Sequence, residues 1–351
     1  MIDFLKKTEN AFGLDISDSS FKLVQLQKDR GAVSLKACAD ISIPKGLVVN
    51  ETVTDPKSFI YLLKKTLEKP QIGRVSTNKA VISLPESKAF VRVIQIPEMS
   101  EADAETAVPF EAENFIPLPV DQVYLDWQKL GDAGDKMNVL IIASPKEFVD
   151  TYLGIIDQAG IRAAALEVES QSCLRALAAA GNKETLLIVD LDAYRSSLIM
   201  VEQGDLEFTS TIPIAGNAFS ESIAKAFGVS TEKADEIKSK VGISEVSEYP
   251  NMEAVLLPVL NNLVGEIKSI LKFHAEHSSA EVTRIVLVGG SAKLKNLVEF
   301  LAPKFSEFEN LKVELGNPWV NLNLKVQPPF AALEALSFVT SIGLGLRGIN
   351  L

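Results

Sequence analysis

Phe12-Gly13-Leu14-Asp15-Ile16-Ser17-Asp18-Ser19-Ser20-Phe21-Lys22-Leu23-Val24-Gln25-Leu26 sets an apolar run ending in an aspartate against a polar turn and a second apolar run. Apolar residues on both sides of a Ser/Asp turn read as a β-hairpin. The arrangement returns half a chain later. Leu186-Leu187-Ile188-Val189-Asp190 is a buried strand ending in aspartate, followed by a polar turn and a strand over residues 197–202. Two β-Asp-turn-β units in one chain suggest an internal duplication, although strand–turn–strand is common.

Outward from the first hairpin, residues 33–43 supply a third strand, 57–67 an amphipathic helix and 79–84 a further strand. A second block opens with a strand at 91–96. Ser100 is placed to cap an acidic helix from Glu101 to about Phe115. Strands at 123–130 and 137–143 flank a Gly131–Asp135 turn, and Pro145 opens a helix to about Ala159. The second unit continues into a helical region, 217–277. A strand at 284–288 then ends in Gly289-Gly290-Ser291 and opens a helix over 292–301. With no low-complexity linker, the pattern is α/β with two closely coupled lobes, the prior for 351 residues.

The formal charge of -11 argues against nucleic acid or a broad anionic membrane surface as partner. Cys38 and Cys173 are the only cysteines and have no metal-ligand spacing, so a disulfide framework and a structural zinc are not expected. No uninterrupted apolar run reaches a membrane-span length. Met1-Ile2-Asp3-Phe4-Leu5-Lys6-Lys7 lacks a signal-sequence core, and a cytoplasmic protein is expected.

Asp15 and Asp190, each at a strand end, suit a magnesium ion held directly or through its waters, or they cap their turns. Lys22 follows the first turn and brings a positive charge toward phosphates. Gly289-Gly290 permits close approach of a ligand ring, or marks a tight turn. Asp235 and Lys238 share a helix face, which serves a ribose contact or a surface ion pair. His274 and His277 read as a solvated helix end. With two histidines in the chain, histidine-dependent catalysis is not expected.

In this order the pieces resemble the actin/Hsp70/FtsA superfamily. The stretch from Gly13 to Lys22 resembles its first phosphate loop, with Asp15, Ser17, Ser19, Ser20 and Lys22 as cofactor-binding positions. Leu187-Ile188-Val189-Asp190-Leu191-Asp192 resembles the second, and Val288-Gly289-Gly290-Ser291 the adenosine loop. Ala215-Gly216 stands for a glycine pair, Asp235 and Lys238 for the ribose-contacting helix, and Glu169 for the connecting-segment glutamate that positions water, with Glu167 the alternative. Ile96-Pro97-Glu98-Met99-Ser100, the run Phe110–Pro117, Val123-Tyr124-Leu125-Asp126-Trp127 and the closing Ile342–Gly348 resemble the type IV pilus assembly PilM family. An FtsA-like cell-division protein is the further alternative within the superfamily, less expected because no amphipathic membrane helix follows Arg347-Gly348-Ile349-Asn350-Leu351.

The resemblance implies an actin-like ATPase fold: two lobes, each with a five-stranded-type mixed sheet (RNase H-like), an inserted α+β subdomain and a helical subdomain. The expected divisions are 1–90 with 166–185, the insert 91–165, 186–216 with 281–351, and helical 217–280. It implies ATP or ADP with Mg2+ at Asp15 and Asp190, and a PilN-like inner-membrane partner whose cytoplasmic N-terminal peptide is gripped by Val108, Phe110, Phe115, Ile116 and Pro117. Self-association into a ring, contact with a pilus motor ATPase and attachment to the inner membrane through the partner are further implications. Ser17 and Asp192 stand where the superfamily has glycine. A carboxylate beside phosphates costs on the order of 4 kcal/mol at ~4 Å. Weakened nucleotide binding, at most a weak ATPase, and a pseudo-ATPase scaffold as the alternative are therefore expected.

Overall fold

The computed structural model describes residues 11–29, 32–179, 181–244, 246–322 and 330–349. The N-terminal heptapeptide and Asn350-Leu351 lie outside the described residues. In chain order the first lobe supplies β1 (Phe12–Ile16), β2 (Ser20–Asp29), β3 (Ala32–Ser42), the small hairpin β4 (Val48–Val49) and β5 (Thr52–Val53), α1 (Pro56–Glu68), β6 (Ile72–Gly73) and β7 (Lys79–Leu84). The insert is β8 (Phe90–Pro97), α2 (Glu101–Ala112), β9 (Val123–Ala133) and β10 (Lys136–Pro145). The chain then returns through α3 (Lys146–Gln158), β11 (Arg162–Val168) and α4 (Glu169–Leu177). The second lobe has β12 (Leu186–Leu191), β13 (Ser196–Glu202), β14 (Asp205–Ile212), α5 (Gly216–Phe227), α6 (Thr231–Val241), α7 (Met252–His277) and β15 (Arg284–Val288). It ends with α8 (Leu297–Leu301), β16 (Lys312–Leu315), α9 (Ala332–Ala335) and α10 (Val339–Gly348).

The repeat is visible in the topology. In the first lobe β1 pairs antiparallel with β2 and parallel with β7, β2 pairs antiparallel with β3, and β11 joins parallel to β7. In the second, β12 pairs antiparallel with β13 and parallel with β15, β13 with β14, and β16 joins parallel to β15. The short β6 adds a sixth strand to the first sheet. On the second sheet, β14 meets β8 of the insert through one bridge, Phe208 opposite Arg92, making eight strands in the order β16-β15-β12-β13-β14-β8-β10-β9. The insert's expected limit at residue 165 falls inside β11, which pairs with β7 from Arg162 to Val168. Its own elements therefore end with β10.

Local chemistry explains the elements. The Asp55 carboxylate accepts the Lys57 and Ser58 N–H groups at 3.1 and 3.3 Å, capping α1 ahead of Pro56. All five residues of β1 are buried because both its faces are covered. On one side Phe21 packs edge-on to Phe59 at 4.8 Å. On the other lies α10, so close that a Cβ on Gly13 would stand 2.3 Å from the Ser341 carbonyl oxygen. Ala11 N–H donates to Gly348 O at 3.0 Å, fastening the last helix to the first strand. Arg347 reaches Glu167 at 2.6 Å, and Arg175 pairs with the same carboxylate.

Two sequence expectations change here. The helix expected over 292–301 is a single 3-10 turn, Gly290–Lys293, followed by a break at Asn296 (φ 63) before α8. Only a residue tolerant of left-handed backbone fits that break. His274 is buried rather than solvated, with Nε2 2.9 Å from the Glu202 carboxylate. It continues the inward stripe Leu256, Leu260, Leu263, Ile267, Leu271 of α7. That helix has the length and mean hydropathy (1.4) of a membrane span, but its buried residues recur every three or four positions and face the second lobe.

Candidate functional site

The two β-Asp-turn-β units face each other. Asp15 lies opposite Lys22 across β1–β2, and Asp190 lies opposite Ser197 at the matching place across β12–β13. All four are 8–9% exposed. Both hydrophobic runs thus deliver a carboxylate to the seam between the lobes, with Asp192 and Glu169 beside them.

The field there is negative. Burial pushes the Asp15 carboxyl up to about 6, with the Lys22 ammonium pulling it down and Asp192 adding to the rise. Burial and the neighbouring Asp192 and Asp15 raise Asp190 well above the ordinary carboxylate range. Burial, then Asp15, Glu51, Asp192 and Glu86, does the same to Glu169. Burial works against the Lys22 charge, yet Asp15, Asp192, Asp40 and Asp190 hold its pKa above that of an ordinary lysine. Among the described residues no three carboxylate, histidine or cysteine side chains stand close enough to hold a bare metal ion. A magnesium ion there would take at most the Asp15 and Asp190 carboxylates, directly or through water, and would complete its shell with waters and phosphate oxygens.

The phosphate end does not fit a triphosphate as formed. Ser17 Oγ accepts the N–H groups of Ser19 and Ser20 at 3.3 and 3.1 Å, the donors a phosphate oxygen would use. Lys22 Nζ donates to Ser20 Oγ at 2.8 Å. Arg195, on the turn of the second lobe, crosses to Glu51 of the first at 2.9 Å. The space left between the turns is about 30 Å3, enough for a water or two.

The adenosine side is tied into the same frame. Gly289 has φ +86, and a Cβ there would lie 2.4 Å from Asp190 Oδ1 and 2.6 Å from Leu191 O. Gly290 faces open space. Ser291 Oγ donates to Asp192 O at 3.0 Å, and Gly216 N–H donates to the same oxygen at 2.8 Å. Lys238 Nζ donates to Gly216 O, Ser220 Oγ and Asp235 Oδ1 at 3.0, 2.6 and 2.8 Å. Asp235 and Lys238 do form the ion pair allowed by their spacing, and its lysine is anchored on Gly216. The turn after Gly289 is 3-10, so it offers no long helix dipole to an anion.

Glu169 lies in the first turn of α4, and its Oε2 accepts Glu86 N–H at 3.2 Å. Glu167, the alternative, is committed to Arg347 and Arg175 on the far side. Sequence reasoning missed Glu51, Glu86 and Arg195. Both acids are largely buried, and Glu51 lies on a left-handed stretch (Asn50 φ 48, Glu51 φ 62) that Asp18 clamps by accepting their N–H groups at 3.0 and 2.7 Å. Asn50, a residue tolerant of left-handed backbone, between Val48-Val49 and Thr52-Val53 was the readable sign of a tight hairpin.

In the insert, Val108 and Ile116 are turned inward, packing with Ile94, Ile96, Met137, Val139 and Ile141. They are not surface residues. Phe110 is 70% exposed, Phe115 carries the Arg92 guanidinium over its ring at 5.2 Å, and Pro117 is exposed. The large groove of the insert lies on the other side of α2, against β9. It is lined by Met99, Glu101, Glu105, Pro109, Tyr124 and Trp127, among others, and has a volume of about 1070 Å3.

Two RNase H-like lobes joined across a carboxylate-lined seam, with an insert after β7, define an actin-like protein. The chain belongs to the PilM family of type IV pilus assembly proteins, whose family model matches residues 13–349. A PilM–PilN type IV pilus biogenesis complex superposes with TM-score 0.81 at 28% identity over 97% of this chain and 99% of that one. EutJ of Carboxydothermus hydrogenoformans (TM-score 0.54, 16% identity, 99% of this chain and 93% of that one) shares the fold. So does MreB5 of Spiroplasma citri (0.54, 12%, 97% and 96%). Cell division protein FtsA of Neisseria meningitidis serogroup B is 23% identical over 287 residues, 70% of this chain, and the chain spans 66% of that relative's length.

Proposed function

We propose that this protein is a scaffold of the type IV pilus assembly complex that holds the N-terminal peptide of a PilN-like inner-membrane protein on its cytoplasmic side. The observation that carries this is the groove between α2 and β9. Among the described strands β9 stands at one end of its sheet, with β16 at the other, so an added strand can pair along it once the Trp127 N–H is released from Asp126 Oδ1, which accepts it at 2.9 Å. Tyr124 and Trp127 supply apolar walls, with Glu101, Glu105 and Asp126 set against Lys129 and Lys146 around them, which favours an extended peptide with apolar side chains and charges of both signs. The name of the similar PilM–PilN complex supports the identity of the partner. Attachment to the membrane then follows through the partner. The self-filled phosphate end supports a scaffold without nucleotide turnover.

The test is titration of the N-terminal peptide of the neighbouring PilN-type gene product, followed by Trp127 fluorescence with Trp319→Phe as background. Saturable micromolar binding, weakened at least tenfold by Tyr124→Ala or by the exposed groove variant Glu105→Arg, is expected. Binding unaffected by both would place the peptide elsewhere and overturn the groove assignment.

A further inference from the structure

The facing turns carry groups that do what phosphates do in an actin-like cleft. Two adjacent N–H donors, from Ser19 and Ser20, converge on Ser17 Oγ, which also lies 3.3 Å from Ser20 O. A glycine at position 17 would leave those donors pointing into the seam. Across the seam, the Arg195–Glu51 pair is largely shielded, with side chains 24% and 10% exposed, and the Ser87 hydroxyl holds the other Glu51 oxygen. Asp18 fixes the backbone that presents Glu51.

We infer that the cleft is latched shut by its own side chains, with the Ser17 hydroxyl seated in the phosphate nest and the Arg195–Glu51 pair spanning the lobes, so that closure needs no nucleotide. A phosphate oxygen entering the nest must first rotate Ser17 away and then face Asp192, a half-buried carboxylate beside Asp15 and Asp190 whose charge Lys22 and Arg195 offset. Closure in nucleotide-dependent relatives of this fold is a ligand-driven population shift; here the differential contacts belong to the chain itself. The latch holds whatever the α2–β9 groove binds.

Hydrogen exchange of the full chain, with and without ATP and Mg2+, tests this. Residues 48–53 and 190–197 are expected to exchange at the same rates in both conditions. Arg195→Ala is expected to speed exchange in both segments at least tenfold while the insert core (137–143) is unchanged. Should Arg195→Ala fold poorly, Glu51→Gln gives the same loss in a milder form. The charge-exchanged double variant Arg195→Glu with Glu51→Arg is expected to restore protection. Ser17→Gly combined with Asp192→Gly is expected to gain nucleotide-dependent protection. Protection of the wild-type segments by ATP and Mg2+, or unchanged exchange in both single variants, overturns the inference.

Discussion

Glu86, at the start of the 3-10 turn Glu86–Lys88, and Glu169, at the start of α4, stand 83 positions apart and cap each other's turns. The Glu169 carboxylate accepts Glu86 N–H at 3.2 Å, while the Glu86 carboxylate accepts Ser170 N–H at 3.3 Å and Ser170 Oγ at 3.1 Å. This reciprocal bond welds β7's exit to the start of α4, beside the seam between the lobes. Glu86→Ala leaves two buried donors without acceptors and is expected to cost about 2–3 kcal/mol in urea unfolding. Glu169→Gln keeps an acceptor oxygen and matches the neutral carboxyl that burial favours, so stability should hold or rise. An equal loss in both variants would show that the Glu169 charge, rather than its capping oxygen, matters.

Stability should fall as pH rises from about 4 to about 7. Asp15 titrates near 6 when folded against 3.8 otherwise, so between those values the folded chain binds the extra proton and is favoured. Above that window the benefit is gone. Asp15→Asn is expected to gain on the order of 3 kcal/mol at pH 7.5 and nearly nothing at pH 4, by thermal unfolding across pH. At the acid end Glu184, held down to about 2 by its hydrogen bond from Arg284, contributes stability above 4.5 that is lost as pH falls toward 2.

Val108→Ala empties part of the insert's small core and should cost roughly 2 kcal/mol, whereas Phe110→Ala, at a position 70% exposed, should stay within about 0.5 kcal/mol. Chemical denaturation followed by Trp127 distinguishes them. Similar costs would mean that Phe110 is covered in solution.

Gly289→Ala meets both a left-handed backbone (φ +86) and the Asp190 carboxylate. A loss of at least about 2 kcal/mol is expected, against little change for Gly290→Ala, whose Cβ would face open space. Thermal melts of the two variants provide the comparison.

The fold was legible because its signals are local. A run of apolar residues closing on an aspartate, then a polar turn, appears at Asp15 and again at Asp190, and each delivers its carboxylate to the seam. Arg195 and Glu51 come from different lobes and carry no mutual spacing to read, so their pairing required the assembled molecule. Val108 and Phe110 are two apart on α2 and therefore point in different directions, which a list of apolar residues in one helix conceals. His274 was readable in principle: it extends the three-and-four spacing of Leu256, Leu260, Leu263, Ile267 and Leu271, a stronger cue than its closeness to His277.

The seat of α10 on β1 reverses the order in which the lobes mature during synthesis. Strands β1 to β7 leave the ribosome early, but the helix that covers one face of β1, touching Gly13 and holding Ala11 N–H, is made after every other described element. The lobe begun first is thus finished last, and until residues 339–348 emerge its sheet stays open-faced to whatever apolar chain or chaperone is nearby.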